Sequence, residues 1–362
     1  MSFNIYIAIY WLIATGALVL SLFAHTKYSL RILYTVYVVF TSFILSVRPL
    51  EIGIDTIVYS LLFESLNFSY YPLQIDPLFK ALIYLVRFFT EDPRIFLFIC
   101  YLAINSLLIK AFLLLEQKRW CLVYTLFSFS FLYYNVHFNI LRQGLAFGFI
   151  LVALAYAHQR KSLPFICFFI IGLFFHVSSV VVLACLLNLK IKKFSYILLI
   201  AAVLIPIFLL YNPIVAIAEM LAPYHWSFEK LYLYTKWDLA KAFTFRPQYI
   251  LTIALLAFSI YIYKDQLDDP SNKIRFYVGN LLIGLIICSV FSFDQMVADR
   301  IFYIFFFFNF LILANLYFDK LSKNTIFFAS TLIVMFAWLS KTLLIQVPNW
   351  FFYKAYMETY LQ

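Results

Sequence analysis

Acidic charge is scarce in this chain, and so are glycine and any close pairing of cysteines. Charged residues of either sign make up only 12% of the sequence, with 17 Asp and Glu set against 27 Lys and Arg. So little charge excludes an ordinary soluble surface. Only seven glycines are present, and neither the phosphate-cradling G-x-x-x-x-G-K-[ST] loop nor the dinucleotide G-x-G-x-x-G turn occurs. The cysteines Cys100, Cys121, Cys167, Cys185 and Cys288 all lie within apolar runs without a C-x-x-C pair. They read as small core hydrophobes, which excludes a disulfide framework and a zinc site.

What the chain has in abundance is apolar residue. Over 362 residues it is 65% hydrophobic, with a mean hydropathy of +0.94. One helical crossing takes roughly 20 apolar residues, so the composition predicts an all-α, polytopic integral membrane bundle. About 10–12 transmembrane or re-entrant helices would form a single membrane domain over residues 1–362.

The net charge of +10 would point to nucleic acid in a soluble protein, but in a membrane protein orientation must be tested first. A retained helix over Phe3–Ala24 is followed by HTKYSLR, which places the first loop in the cytoplasm and the N-terminus outside. Crossings are expected over Leu33–Val47, Arg94–Leu115, Trp120–Val136, Gly144–Ala157, Phe194–Asn212, Gln248–Tyr263, Phe276–Phe291, Ile301–Tyr317 and Ile326–Ile345. The run over 163–189 has basic residues on both flanks, so it is expected to enter and turn back as a re-entrant hairpin with FFHVSS near its apex. Residues 48–93 then form the first outer loop, whose tail Asp76–Phe89 suits an interfacial helix, and residues 213–247 form a large outer loop. In this topology the cytoplasmic loops carry 14 Lys and Arg against five acids, whereas the outer side, with Lys110 inside a helix set aside, carries 12 of each. Orientation accounts for the whole basic excess, and no nucleic-acid partner is needed.

Long, chemically mixed outer loops put the working face outside, where no nucleotide sugar is available. Asp268 and Asp269, a conceivable metal pair, sit in a short lysine-flanked cytoplasmic loop and read as a solvated linker. No metal and no cofactor are expected. The outer stretch HFNILRQGLAFG, His137 to Gly148, is the strongest candidate for chemistry. It sets Arg142 at the positive end of an apolar helix, where an anion would be welcome. Gln143 adds hydrogen bonds, and Gly144 and Gly148 are spaced for close approach by another helix.

Arg48, Arg246 and Arg300 also stand at outer ends of crossings. Snorkelling to lipid phosphates is the plain alternative for each arginine, and the favoured one for Arg246 beside Pro247. For Arg142 and Arg300, which open inward-running helices, a bound diphosphate would resolve the clash with the helix dipole. Asp55 in GIDTIVY reads as a helix N-cap or a general base. Asp294 and Asp299 offer ion-pair partners to Arg300. His176 lies in a strongly apolar run, where an imidazole is costly and leans functional. The rings of the large outer loop, Tyr224 to Phe245, fit an interfacial aromatic belt as well as a sugar platform.

Three motifs in order carry a resemblance. R-x4-G-x-D-T-x2-Y at Arg48, Gly53, Asp55, Thr56 and Tyr59 comes first, then N-x2-R-Q-x2-A at Asn139, Arg142, Gln143 and Ala146, then F-H-x-S-S at Phe175 to Ser179. With D-R-x2-Y at Asp299, Arg300 and Tyr303, this series resembles the EpsG family, akin to the Wzy polymerases of O-antigen and capsule. The chain departs from that pattern in having Asp76-Pro77 where Glu-Pro is expected, and its loop after Asn212 has no counterpart.

The resemblance implies a fold similar to the GT-C-like glycosyltransferase membrane fold, in the bacterial cytoplasmic membrane, with its active face periplasmic or extracellular. It implies a glycosyltransferase that joins undecaprenyl-diphosphate-linked oligosaccharide repeats into O-antigen, capsule or exopolysaccharide. Arg142 and Arg300 would stabilise the departing diphosphate, and His176 or Asp55 would take the acceptor's proton. Arg48, Gln143, Tyr59, Asn139, Asp299 and Arg246 would bind substrate. A chain-length regulator enters as a partner through the likeness alone. The rival readings are a lipid-linked glycan flippase or other transporter, and an O-antigen ligase.

Overall fold

A computed structural model describes residues 29–48, 53, 55–66, 76–210, 213–224 and 246–317, together with Ile13 and Gly16. Every regular element among these residues is a helix. The expected helices over Phe3–Ala24 and Ile326–Ile345, and the aromatic loop beyond Tyr224, lie outside the described residues. Four helices are long and apolar enough to cross a bilayer unaided: Pro93–Leu115, Leu141–His158, Lys273–Val290 and Val297–Leu316. The protein is an all-α, multi-pass membrane protein.

Two compact units divide the chain, Met1–Val180 with Tyr317–Gln362, and Val181–Leu316. The first contains α1 (Ser29–Val47), α2 (Thr56–Ser65), α3 (Pro77–Arg87), α4 (Pro93–Leu115), α5 (Trp120–Ser128), α6 (Phe131–Phe138), α7 (Leu141–His158) and α8 (Ser162–Phe175). At its centre is α7, which is buried on nearly every side and packs on α4, α6 and α8. Small residues make that packing close. A Cβ on Gly144 would stand 2.7 Å from the Val136 carbonyl oxygen, and one on Gly148 would stand 2.7 Å from Leu107 Cβ of α4. One on Gly172 of α8 would stand 2.9 Å from Ile150 of α7. The spacing of Gly144 and Gly148 predicts this approach of neighbouring helices.

The helices begin where local chemistry allows. Pro77 and Pro93 occupy first-turn positions in which a missing N–H costs nothing, and the Asp92 carboxylate accepts from the Arg94 N–H at 2.8 Å. The apolar run over Trp120–Val136 is two helices rather than one. Ser130 caps α6 by accepting from Tyr133 N–H, and the Phe129–Ser130 break separates two short, buried pieces. On α3, Phe79, Ile83 and Val86 face the protein while Tyr84, Leu85, Phe88 and Phe89 are exposed, with Lys80 and Arg87 alongside. That pattern suits a helix lying in the membrane interface.

The second unit contains α9 (Cys185–Lys190), α10 (Phe194–Leu210), α11 (Pro213–Leu221), α12 (Pro247–Tyr263), α13 (Lys273–Val290) and α14 (Gln295–Leu316). Its core is α13 against α14, with α9, α10 and α12 packed on α13. The run over 163–189 is not one helix: α8 ends at Phe175, a 3-10 segment covers Val177–Ala184, and α9 follows. The loop carboxylates have structural work. Asp268 accepts from the Phe194 N–H at 3.1 Å. Asp269 accepts from the hydroxyl and the N–H of Ser271, which hold its carboxyl below the ordinary carboxylate range.

Candidate functional site

The first turn of α7 is the centre of the site in the first unit. Arg142 donates through Nη1 to Asp76 Oδ2 at 2.7 Å, and both side chains are largely buried, 12% and 14% exposed. Asp76 is the residue at which α3 starts, yet its carboxylate makes no capping bond to that helix. It turns to Arg142 instead. A charged, forked hydrogen-bond donor thus stands at a helix N-terminus with a carboxylate upon it.

The neighbouring Gln143 points the other way, to α8. Its Nε2 donates to Ser178 Oγ at 3.1 Å, and Ser178 Oγ lies 2.7 Å from His176 Nδ1. The Ser178 N–H also meets His176 Nδ1, at 3.2 Å. Since Gln143 belongs to the first turn of α7, His176 stands at that same end of the helix. The 14 residues of α8 rise about 21 Å, enough to carry it there. Ser179 completes the corner by donating to the Gly172 carbonyl at 3.0 Å.

Arg48 is buried and fully engaged. It donates to the Leu45 carbonyl, to Tyr101 Oη at 2.9 Å and to Thr56 Oγ1 at 2.8 Å, and its guanidinium lies 3.6 Å from the centre of the Phe138 ring. Thr56 passes the link on by donating to the Phe138 carbonyl at 3.0 Å. Gly53 has φ +99°, and a Cβ there would collide with Phe138 and Thr56, so only glycine lets this loop lie on the end of α6. Asp55 is thereby held next to the α6–α7 turn, half-buried at the start of α2 without a capping bond from its side chain. Tyr59 packs its ring on Phe79 of α3, and Asn139 donates to Asn135 Oδ1 at 2.9 Å in the turn that leads to Arg142.

In the second unit, Asp299 collects donors. Arg246 Nη1 approaches its Oδ2 at 2.5 Å, and Tyr249 Oη, Gln295 Nε2 and Gln248 Nε2 reach its Oδ1 at 2.5, 2.9 and 3.4 Å. The pairing of Asp299 or Asp294 with Arg300, offered by the sequence, is not the one adopted. Asp294 instead caps α14 by accepting from the Val297 N–H at 2.8 Å. Arg300 is half-buried and makes no hydrogen bond or ion pair among the described residues. Snorkelling fits Arg246 less well than the sequence implies, because its charge is held by Asp299.

Lys110, the other ionisable group of an apolar run, is five residues from the end of α4, or about 7.5 Å along the helix. Its ammonium lies 4.5 Å from the centre of the Phe168 ring with its side chain exposed. Ser178 and Asp76 were not singled out as site residues by sequence reasoning. The serine is visible only inside the F-H-x-S-S motif, and the aspartate only as a helix start and as the Asp76-Pro77 departure from the family pattern.

The scaffold is that of an all-helical, multi-pass membrane protein that carries arginines, carboxylates and a histidine relay at helix ends. The profile of the EpsG family matches residues 31–356. The chain belongs to the EpsG family. No curated protein and no solved structure matches it.

Proposed function

We propose that this protein is a membrane glycosyltransferase that polymerises undecaprenyl-diphosphate-linked oligosaccharide repeats into O-antigen, capsule or exopolysaccharide. It works on the outer face of the bacterial cytoplasmic membrane, with the growing chain as donor and a single lipid-linked repeat as acceptor. The observation that carries this reading is the Arg142–Asp76 pair beside the Gln143–Ser178–His176 relay at the N-terminus of α7.

A polyprenyl diphosphate leaves without needing a proton, but its growing charge needs stabilisation. Arg142 supplies a guanidinium fork for it, aided by the N–H groups of the α7 first turn. In the second unit, Arg300, uncommitted among the described residues, is the candidate cation for charge stabilisation. The acceptor hydroxyl needs a base, for which Asp55 and His176 are the candidates. Arg48 acts at one remove, by fixing the loop that carries Asp55. Tyr59, Asn139 and Gln143 in the first unit, and Arg246 and Asp299 in the second, are the candidate substrate-binding residues. A chain-length regulator is the expected protein partner.

A flippase would expose charge along a path through the bilayer. Lys110 near the end of α4 and His176 at the end of α7 do not make such a path. The test is a polysaccharide gel from a strain lacking this gene, re-supplied with the intact chain or with Arg142→Ala. A single repeat in the deletion strain, with a ladder restored by the intact chain alone, is the expected result. If no repeat reaches the outer surface, or long chains accumulate on the undecaprenyl carrier, the protein is a flippase or a ligase.

A further inference from the structure

His176 Nδ1 receives two hydrogen atoms from Ser178. The backbone N–H of Ser178, 3.2 Å away, can only donate, so Nδ1 must be an acceptor. The Ser178 hydroxyl, 2.7 Å away, is itself met by an N–H of Gln143 at 3.1 Å and therefore turns its own hydrogen to Nδ1. Turning the ring over would set a C–H against both donors, which excludes the opposite orientation. A neutral imidazole that accepts at Nδ1 carries its proton on Nε2. His137 has the reverse arrangement: its Nδ1 lies 2.6 Å from the Tyr133 carbonyl, which can only accept, so Nδ1 is the protonated nitrogen there.

From this geometry, and resting on the polymerase reading above, we infer that Ser178 is a positioning residue that holds His176 as an Nε2–H hydrogen-bond donor to the departing diphosphate, so that His176 is not the base of the reaction. The base is then Asp55. In the step itself, the acceptor hydroxyl oxygen forms a bond to the anomeric carbon of the donor sugar, and its proton passes to the Asp55 carboxylate. The bond from that carbon to the diphosphate oxygen breaks, and its electron pair leaves with the diphosphate. The Nε2–H of His176 shortens its hydrogen bond to that oxygen as charge gathers there, without giving up its proton. Gln143 serves as the outer link of the relay, since one of its two amide hydrogens goes to Ser178.

The experiment compares His176→Gln with His176→Ala in the deletion strain, and in membranes carrying the full chain with lipid-linked repeats as substrate. A glutamine side-chain amide brings an N–H close to the place of Nε2 but offers no basic nitrogen. The expected outcome is that His176→Gln stays within about tenfold of the intact chain, while His176→Ala falls by about a hundredfold or more. Equal loss in the two variants overturns the inference. Ser178→Thr keeps the hydroxyl and should rescue what Ser178→Ala loses.

A second measurement does not depend on turnover. In the chain labelled with ¹⁵N-histidine, His176 is assigned by its disappearance in His176→Gln. Its Nδ1 should report an unprotonated nitrogen, in contrast to that of His137, and Ser178→Ala should mix the two tautomers. A protonated Nδ1 in the intact chain refutes the assignment. If the intact chain restores no ladder at all, the polymerase reading falls, and the nitrogen spectrum still decides the tautomer.

Discussion

Asp76→Asn removes the charge that Arg142 holds while keeping the shape of the side chain. The contact is 2.7 Å long and its two side chains are 12% and 14% exposed. Opposite unit charges about 4 Å apart attract by about 4 kcal/mol at an effective dielectric of about 20. Desolvation of the pair offsets a good part of this, so roughly 1.5–3 kcal/mol of coupling remains between the two groups. A diphosphate arriving at Arg142 has to displace the carboxylate and forfeit that coupling. Without the carboxylate, each 1.4 kcal/mol regained is tenfold in affinity, so Asp76→Asn should bind inorganic pyrophosphate about 10- to 100-fold more tightly than the intact chain.

The assay is the rise in thermal midpoint with pyrophosphate concentration in detergent, since a ligand that binds only the folded state stabilises it in proportion to RT ln(1 + [L]/Kd). Arg142→Ala, alone or with Asp76→Asn, should show no such rise. Unchanged or weaker binding by Asp76→Asn would refute the idea that the carboxylate keeps an anion seat occupied.

Arg300→Ala should abolish the polysaccharide ladder and leave the thermal midpoint within a degree or so, because no hydrogen bond or ion pair among the described residues is lost with it. Gly148→Ala forces a Cβ to 2.7 Å from Leu107 and should lower stability by about 1–3 kcal/mol, read as a lower thermal midpoint. Arg48→Lys keeps the charge but cannot serve Leu45, Tyr101 and Thr56 together. A loss of about 2 kcal/mol, with faster proteolysis of the outer loop, is expected.

Hydropathy made the helical class legible, and local chemistry made several boundaries legible. The helix expected over Asp76–Phe89 is present as α3, Pro77–Arg87, because proline at a first turn and an alternation of apolar and basic residues are short-range signals. Arg142 likewise falls in the first turn of α7, within the stretch where the sequence sets it. The partners of these groups were not legible. Asp76 stands 66 residues before Arg142, and Ser178 stands 35 residues after Gln143. No periodicity records which loop returns to which helix end. Apolar composition also hid the break at Ser130, since its flanking residues are as hydrophobic as those of an unbroken crossing. Basic flanks alone left Asp299 free to pair with Arg300, and only tertiary packing brings Arg246, Gln248, Tyr249 and Gln295 to it instead.

Because Asp76 both precedes α3 and holds Arg142, any displacement of α3 acts directly on the Arg142 ion pair. Phe88 and Phe89, just past the end of α3, are exposed, as rings meant for a membrane interface would be. A thinner or thicker bilayer moves that boundary by a few ångströms, which is as much as separates a formed ion pair from a broken one. A bilayer change that displaced α3 would thus act on the Arg142 site through a single carboxylate.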